Sequence, residues 1–152
     1  MAIDPAVIGS RTPAFSTVAE RGRLRLFAHA TGQAEAVHCD VEAARAAGHR
    51  DLPVPPTFLF CLEMDNPDRG SILAGLGIDV RAVLHGGQEF TYHAQAYAGD
   101  VLTFVTEVRD VYEKKGGALR FIVRDTEVTR DGAPVATLTS TVVVRDPKAD
   151  RR

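Results

Sequence analysis

The spacing of apolar side chains changes part-way along this chain. Residues 1–80 carry them at three- to four-residue intervals between glycines and prolines, whereas residues 81–145 alternate at period two over long runs. Thr17-Val-Ala-Glu20 reads as a capping box, the threonine hydroxyl accepting from the Glu20 N–H while the glutamate reaches back. The helix it opens places Leu24, Phe27, Ala28 and Thr31 on one face and turns Arg21, Arg23 and Arg25 to water, with Gly32 as its stop. Asp40 is an N-cap for a second helix over residues 41–47, closed by Gly48. Pro55 and Pro56 then lead into a third over residues 57–64, since proline suits a first turn whose N–H has no intrahelical partner. That segment is apolar almost all round and is therefore expected to be buried. Asn66-Pro-Asp-Arg-Gly70 ends it.

The second half predicts strands over residues 88–96, 101–113, 118–129 and 133–145 in a nearly unbroken antiparallel meander. The breaks are Ala98-Gly-Asp100, Lys114-Lys-Gly-Gly117 and Arg130-Asp-Gly132, the last a tight-hairpin signal. Runs of this length exceed the usual strand of about 5–6 residues, so the sheet must twist and curl. One buried helix fills the concave side of such a sheet. The expected fold is α+β, a hot-dog: a curved antiparallel sheet wrapped around a central apolar helix. Its exposed edge strand is expected to pair with a second subunit.

Composition narrows the class. A length of 152 residues is one ordinary domain, spanning residues 1–152, with a polar tail at 146–152 expected to fray. Hydrophobic and charged contents of 45% and 25% are those of a globular protein rather than a disordered one. A formal net charge of −2 gives no basic face for nucleic acid. Cys39 and Cys61 lack a CxxC spacing and read as reduced thiols of a cytoplasmic protein. The opening Met-Ala-Ile-Asp-Pro is unlike a secretory leader, and no run approaches the ~18–20 apolar residues of a membrane span.

The densest chemistry lies in Ala30-Thr-Gly-Gln-Ala-Glu-Ala-Val-His38-Cys-Asp40, which continues into Glu42-Ala-Ala-Arg-Ala-Ala-Gly48 and Leu52-Pro-Val-Pro-Pro-Thr-Phe58. This stretch resembles the MaoC-like, (R)-specific enoyl-thioester hydratase/dehydratase family, whose pattern is threonine-glycine, an acid, then Asn-Pro-(Ile/Val)-His-x-Asp. The alanine-rich helix and the Pro-Pro-Thr-Phe entry look most like its N-terminal, fatty-acid-synthase-type dehydratase subgroup. Leu84-His-Gly-Gly-Gln-Glu-Phe90, Tyr92-His93 and Ala98-Gly-Asp100 fit that subgroup too, so the likeness covers roughly residues 5–145. It implies reversible hydration of a 2-enoyl thioester of coenzyme A or acyl carrier protein to the (R)-3-hydroxyacyl form. No metal or redox cofactor is implied, because the thioester itself activates the double bond. In the family an acid and a histidine five positions later handle the water; His38 matches that histidine. An imidazole with pKa near ~6.5 exchanges protons at neutral pH, and a carboxylate orients it and the water.

Two departures from the pattern stand out. The acid position is Gln33, which cannot act as a base. The family's helix-opening glycine, whose N–H holds the thioester oxygen, is matched here by Pro56, which has no N–H. Loss of one such donor costs on the order of 10²–10³ in rate in other enzymes. Glu35 is the nearest substitute carboxylate, and the N–H groups of Thr57 and Phe58 are the nearest substitute donors. The expected site is therefore His38, Glu35 and Gln33 beside Pro56, Thr57 and Phe58. An alternative reading is a non-catalytic acyl-binding subunit, because in heterodimeric relatives one hot-dog chain lines the tunnel while the other supplies the Asp/His pair. A hot-dog thioesterase would place a carboxylate on the central helix, where Glu63 falls late. His85 and His93 are expected to be structural or groove-lining, and His29 and His49 peripheral. Gly75-Leu-Gly77 follows no strand and so makes no nucleotide loop, and no serine- or cysteine-hydrolase signature is present.

Overall fold

The computed structural model describes residues 3–33 and 35–145. Its frame is a curved five-stranded antiparallel sheet in the order β1-β3-β4-β5-β2. The strands are β1 (Phe15–Val18), β2 (Val83–Tyr92), β3 (Val101–Lys114), β4 (Leu119–Arg130) and β5 (Ala133–Arg145). Helices α1 (Arg21–Ala30), α2 (Val41–Ala46), α3 (Phe58–Glu63) and α4 (Ser71–Gly75) lie between β1 and β2 in the chain. This is the hot-dog fold, α3 being the apolar helix held by the sheet. Among the described residues no helix is long and apolar enough to cross a membrane. The expected frayed tail at 146–152 lies outside the described residues.

Local signals explain most of these elements. Asp40 accepts from the Ala43 N–H at 2.8 Å and caps α2. Gly32 ends α1 at φ +73°, with its N–H on the His29 carbonyl and the Gln33 N–H on the Ala28 carbonyl. That is a Schellman motif. The β4–β5 hairpin turns through Asp131 and Gly132, both at positive φ, as a two-residue I′-type turn requires.

Four expectations need correction. Thr17 and Val18 do not cap a helix; they lie in β1, which ladders with β3 from Phe15↔Phe104 to Val18↔Val101, and Glu20 makes no side-chain cap. Four ladder positions outweigh one local capping motif worth about 1 kcal/mol. The meander holds only for β3–β4–β5, because β2 pairs with β5 and sits at the sheet edge opposite β1. Accordingly β2 stops at Tyr92 rather than residue 96: the His93 and Ala94 N–H groups both turn onto the Val135 carbonyl, and Ala96 accepts from Val54 instead. Finally, α3 begins at Phe58, with Thr57 in the left-handed region at φ +69°.

The concave face is divided. One apolar cluster gathers Leu24, Leu52, Phe58, Leu62, Phe104 and Leu138. A second gathers Ile72, Val108, Ile122, Val142 and Val144. On the same period-two rows, Thr106, Thr126, Arg124 and Ser140 lie between them. Glu63, 4% exposed, joins this polar band by accepting from the Thr126 hydroxyl at 2.7 Å. Burial drives the Arg124 guanidinium below its ordinary range, and the nearby Glu63 charge only partly offsets this.

Candidate functional site

A cavity of about 470 Å³ opens where three segments meet: the loop between α1 and α2, the proline run before α3, and the end of β2. Most of its wall is valine, proline, leucine and alanine, including Val54, Leu59, Ala94 and Val135. Its polar groups are Glu35, His38, His49, Tyr92 and Gln95. A volume in the range of about 300–1,000 Å³ with an apolar wall and a few convergent polar groups is what small-molecule sites show.

His38 belongs to a single 3-10 turn, Ala36–His38, whose N–H donates to the Glu35 carbonyl. Arg25 fastens the loop by donating from Nε to the Cys39 carbonyl at 2.7 Å. The His38 imidazole is 15% exposed and borders the cavity, and its Nδ1 has no partner among the described residues. Its Nε2 lies 3.9 Å from a Glu35 carboxylate oxygen, too long for a hydrogen bond. Glu35 itself is 79% exposed, so water screens the pair.

The other expected residues divide. Pro56 lines the cavity; Gln33, Thr57 and Phe58 are not in its wall. Gln33 is half-buried behind the end of α1, its side-chain oxygen without a partner among the described residues. Phe58 turns inward, its ring edge-on to Phe27 at 5.0 Å, with the Arg23 guanidinium over its face at 5.7 Å. Neither main-chain donor expected to be open is open. The Thr57 N–H donates to the Tyr92 hydroxyl at 3.0 Å, and the Phe58 N–H donates to the Pro55 carbonyl at 3.2 Å. Glu63 is absent from the cavity wall and is engaged instead by the Thr126 hydroxyl.

Two residues enter that the sequence did not single out for chemistry. His49, expected to be peripheral, lines the cavity; the turn ending α2 brings its Nδ1 to 3.3 Å from the Tyr97 hydroxyl. Tyr92 is the last residue of β2, and its phenol reaches the amino end of α3. The period-two pairing of Phe90 with Tyr92 was the available signal, and their rings stack at 5.9 Å and 3°. Behind the cavity, Asp100 braces its outer wall. Its carboxylate accepts from the Tyr97 N–H at 2.9 Å, from Arg130 at 2.6 Å and from Arg50. Burial pushes this acid up, but those three partners outweigh it and leave Asp100 below its ordinary value.

Residues 6–138 match the family model described as the FAS1-like, dehydratase domain region. The chain belongs to that family. A UPF0336 protein of Saccharopolyspora erythraea is 38% identical over 153 residues, covering 99% of this chain and 96% of that one. Among solved structures, the C-terminally truncated HadBC (3R-hydroxyacyl-ACP dehydratase) complex of Mycobacterium tuberculosis is similar at TM-score 0.76 and 22% identity, over 93% of this chain and 99% of that one. A MaoC-like dehydratase is similar at TM-score 0.82 and 23% identity, over 94% of this chain and 43% of that one. At these identities the structural likeness establishes the hot-dog fold.

Proposed function

We propose that the chain binds the acyl part of a 2-enoyl or (R)-3-hydroxyacyl thioester, carried on coenzyme A or acyl carrier protein, in this cavity. In this reading it is the acyl-binding subunit of a two-chain hydratase/dehydratase in the cytoplasm. The second hot-dog chain supplies the Asp/His pair and meets it along a sheet edge. One observation carries the proposal: an apolar cavity opens beside His38, yet no carboxylate among the described residues is hydrogen-bonded to that imidazole. A histidine general base is ordinarily oriented by a third group. A solvated Glu35 at 3.9 Å does not provide that, and Gln33 carries no charge. The similar HadBC structure is a complex of two chains, which supports a division of labour. Hydration by this chain alone is the second reading, favoured by the place of His38 in the cavity wall with Nδ1 unengaged.

One experiment separates them. The purified chain is titrated with trans-2-octenoyl-CoA by calorimetry and assayed for loss of the enoyl absorbance. It is assayed again with a hot-dog chain carrying an intact Asp-x₄-His pair. The expected result is saturable binding without turnover by the chain alone, and turnover on adding the second chain that survives His38→Ala in this one. Hydration by the chain alone that His38→Ala abolishes would establish the second reading instead. Absence of binding would reject both.

A further inference from the structure

The amino end of α3 contains an unusual pairing. Thr57 is a β-branched residue held at φ +69°, a conformation that costs about 1–3 kcal/mol and persists only where the surroundings impose it. Its N–H is tied to the Tyr92 hydroxyl, 35 residues along the chain. That phenol borders the cavity, together with Pro56 and His38. A phenol oxygen accepts and its hydrogen donates. Here the accepting side is used by Thr57, and the Tyr92 O–H has no acceptor among the described residues. A hydroxyl whose oxygen already accepts an N–H is polarised and donates more strongly in turn.

We infer that the Tyr92 O–H is the donor that binds the thioester carbonyl, occupying the role open to a main-chain N–H had residue 56 not been proline. The inference rests on the acyl-thioester reading above and identifies the group that recognises the carbonyl. The Thr57 N–H acts through the phenol rather than on the ligand. Stacking on Phe90 limits the ring's freedom, so little rotamer entropy is lost when the carbonyl arrives. No covalent step is involved: the donor lowers the energy of negative charge on the thioester oxygen, whichever chain moves the proton.

The test is the carbonyl stretch of trans-2-octenoyl-CoA labelled with ¹³C at C1, recorded by isotope-edited infrared spectroscopy on three forms of the protein. These are the wild type, Tyr92→Phe, and Tyr92→2,3-difluorotyrosine, whose more acidic phenol is a stronger donor. The wild type should move the band to lower frequency than in water-free solvent. The difluorotyrosine form should move it further, and Tyr92→Phe should lose most of the shift and bind about 2- to 12-fold more weakly, the worth of one neutral hydrogen bond. The matching thioether, which lacks the carbonyl, should bind wild type and Tyr92→Phe equally. Because Tyr92→Phe also frees the Thr57 N–H, the fluorinated form decides between them. A band that ignores fluorination overturns the assignment of Tyr92 while leaving acyl binding intact. Failure of the wild type to bind octenoyl-CoA overturns the functional reading and this inference together.

Discussion

Removing the Asp100 carboxylate should loosen the outer wall of the cavity, and the structure sets the scale. The side chain is 5% exposed and joins three segments: Arg50 after α2, the Tyr97 N–H in the turn before β3, and Arg130 at the end of β4. Arg130 also donates to the Gln95 carbonyl at 3.1 Å, so the wall segment depends on the same cluster. In Asp100→Ala the Arg50 guanidinium, 55% exposed, returns to water at small cost. Arg130 is only 30% exposed and loses a charge-assisted bond worth about 1.5–3 kcal/mol. The Tyr97 N–H is left unpaired at a further cost of about 1–3 kcal/mol. The total, about 2.5–6 kcal/mol, brackets the cost of about 3–5 kcal/mol for breaking one partner of a buried ion pair. For a chain of this size that is a fall in Tm of roughly 5–24 °C.

The pH dependence supplies an independent check. The Asp100 pKa is lowered on folding from its ordinary 3.8. A carboxyl with a depressed folded pKa contributes stability that is present above its unfolded value and is lost as pH falls through the folded one. The gap in Tm between wild type and Asp100→Asn, which keeps the shape but not the charge, should therefore be constant from pH 7 to about 5 and narrow progressively as pH falls below about 4. Scanning calorimetry at pH 7, 5 and 3 reads both effects. An Asp100→Ala variant within about 2 °C of wild type at pH 7, or a gap no narrower at pH 3 than at pH 5, refutes the reasoning.

Two further outcomes follow from packing. A Cβ on Gly86 would meet Val143 Cγ2 at 2.6 Å and the Thr141 carbonyl at 3.1 Å, so Gly86→Ala should cost about 1–3 kcal/mol in urea denaturation, the range for overpacking. Gly87→Ala, with nothing within 4 Å, should stay within about 1 kcal/mol. Ala94→Phe puts a ring into the cavity wall and should weaken octenoyl-CoA binding by about tenfold or more, or 1.4 kcal/mol, with Tm within a few degrees of wild type; unchanged affinity would place the acyl chain elsewhere.

The β3–β4–β5 meander and the helix ends were legible because their signals are local and redundant. Long period-two runs, the Asp131-Gly132 turn and the glycine stops at residues 32 and 48 each specify a conformation within a few residues. What was missed depended on distant partners. Nothing near Thr17 shows that β3 will claim it, and nothing near Tyr92 shows that residues 93–96 will turn toward the proline run. The candidate site divides in the same way. His38, Glu35 and Pro56 were legible as cavity residues through a motif. His49 was not, since its position follows from how tightly α2 terminates. Nor could the sequence show that the Thr57 N–H is engaged, because its acceptor lies 35 residues away on another element.

These two kinds of information bear differently on function. A motif reports which side chains are available, whereas catalysis depends on which protons and lone pairs remain uncommitted once the chain has folded. At position 33 the residue type already removes the charge, and folding leaves its side-chain oxygen buried without a partner among the described residues rather than on the cavity. At the amino end of α3 the residue type removes one donor at Pro56, and folding engages the next two. The apolar wall, by contrast, is built from Val54, Leu59, Ala94 and Val135 on four separate segments. On the function proposed above, a chain with this chamber and with Gln33 at the position of the acid would hold a substrate for chemistry completed by another chain. On the same proposal the proline at residue 56 costs little, because the Tyr92 hydroxyl, held by the Thr57 N–H, would recognise the carbonyl instead.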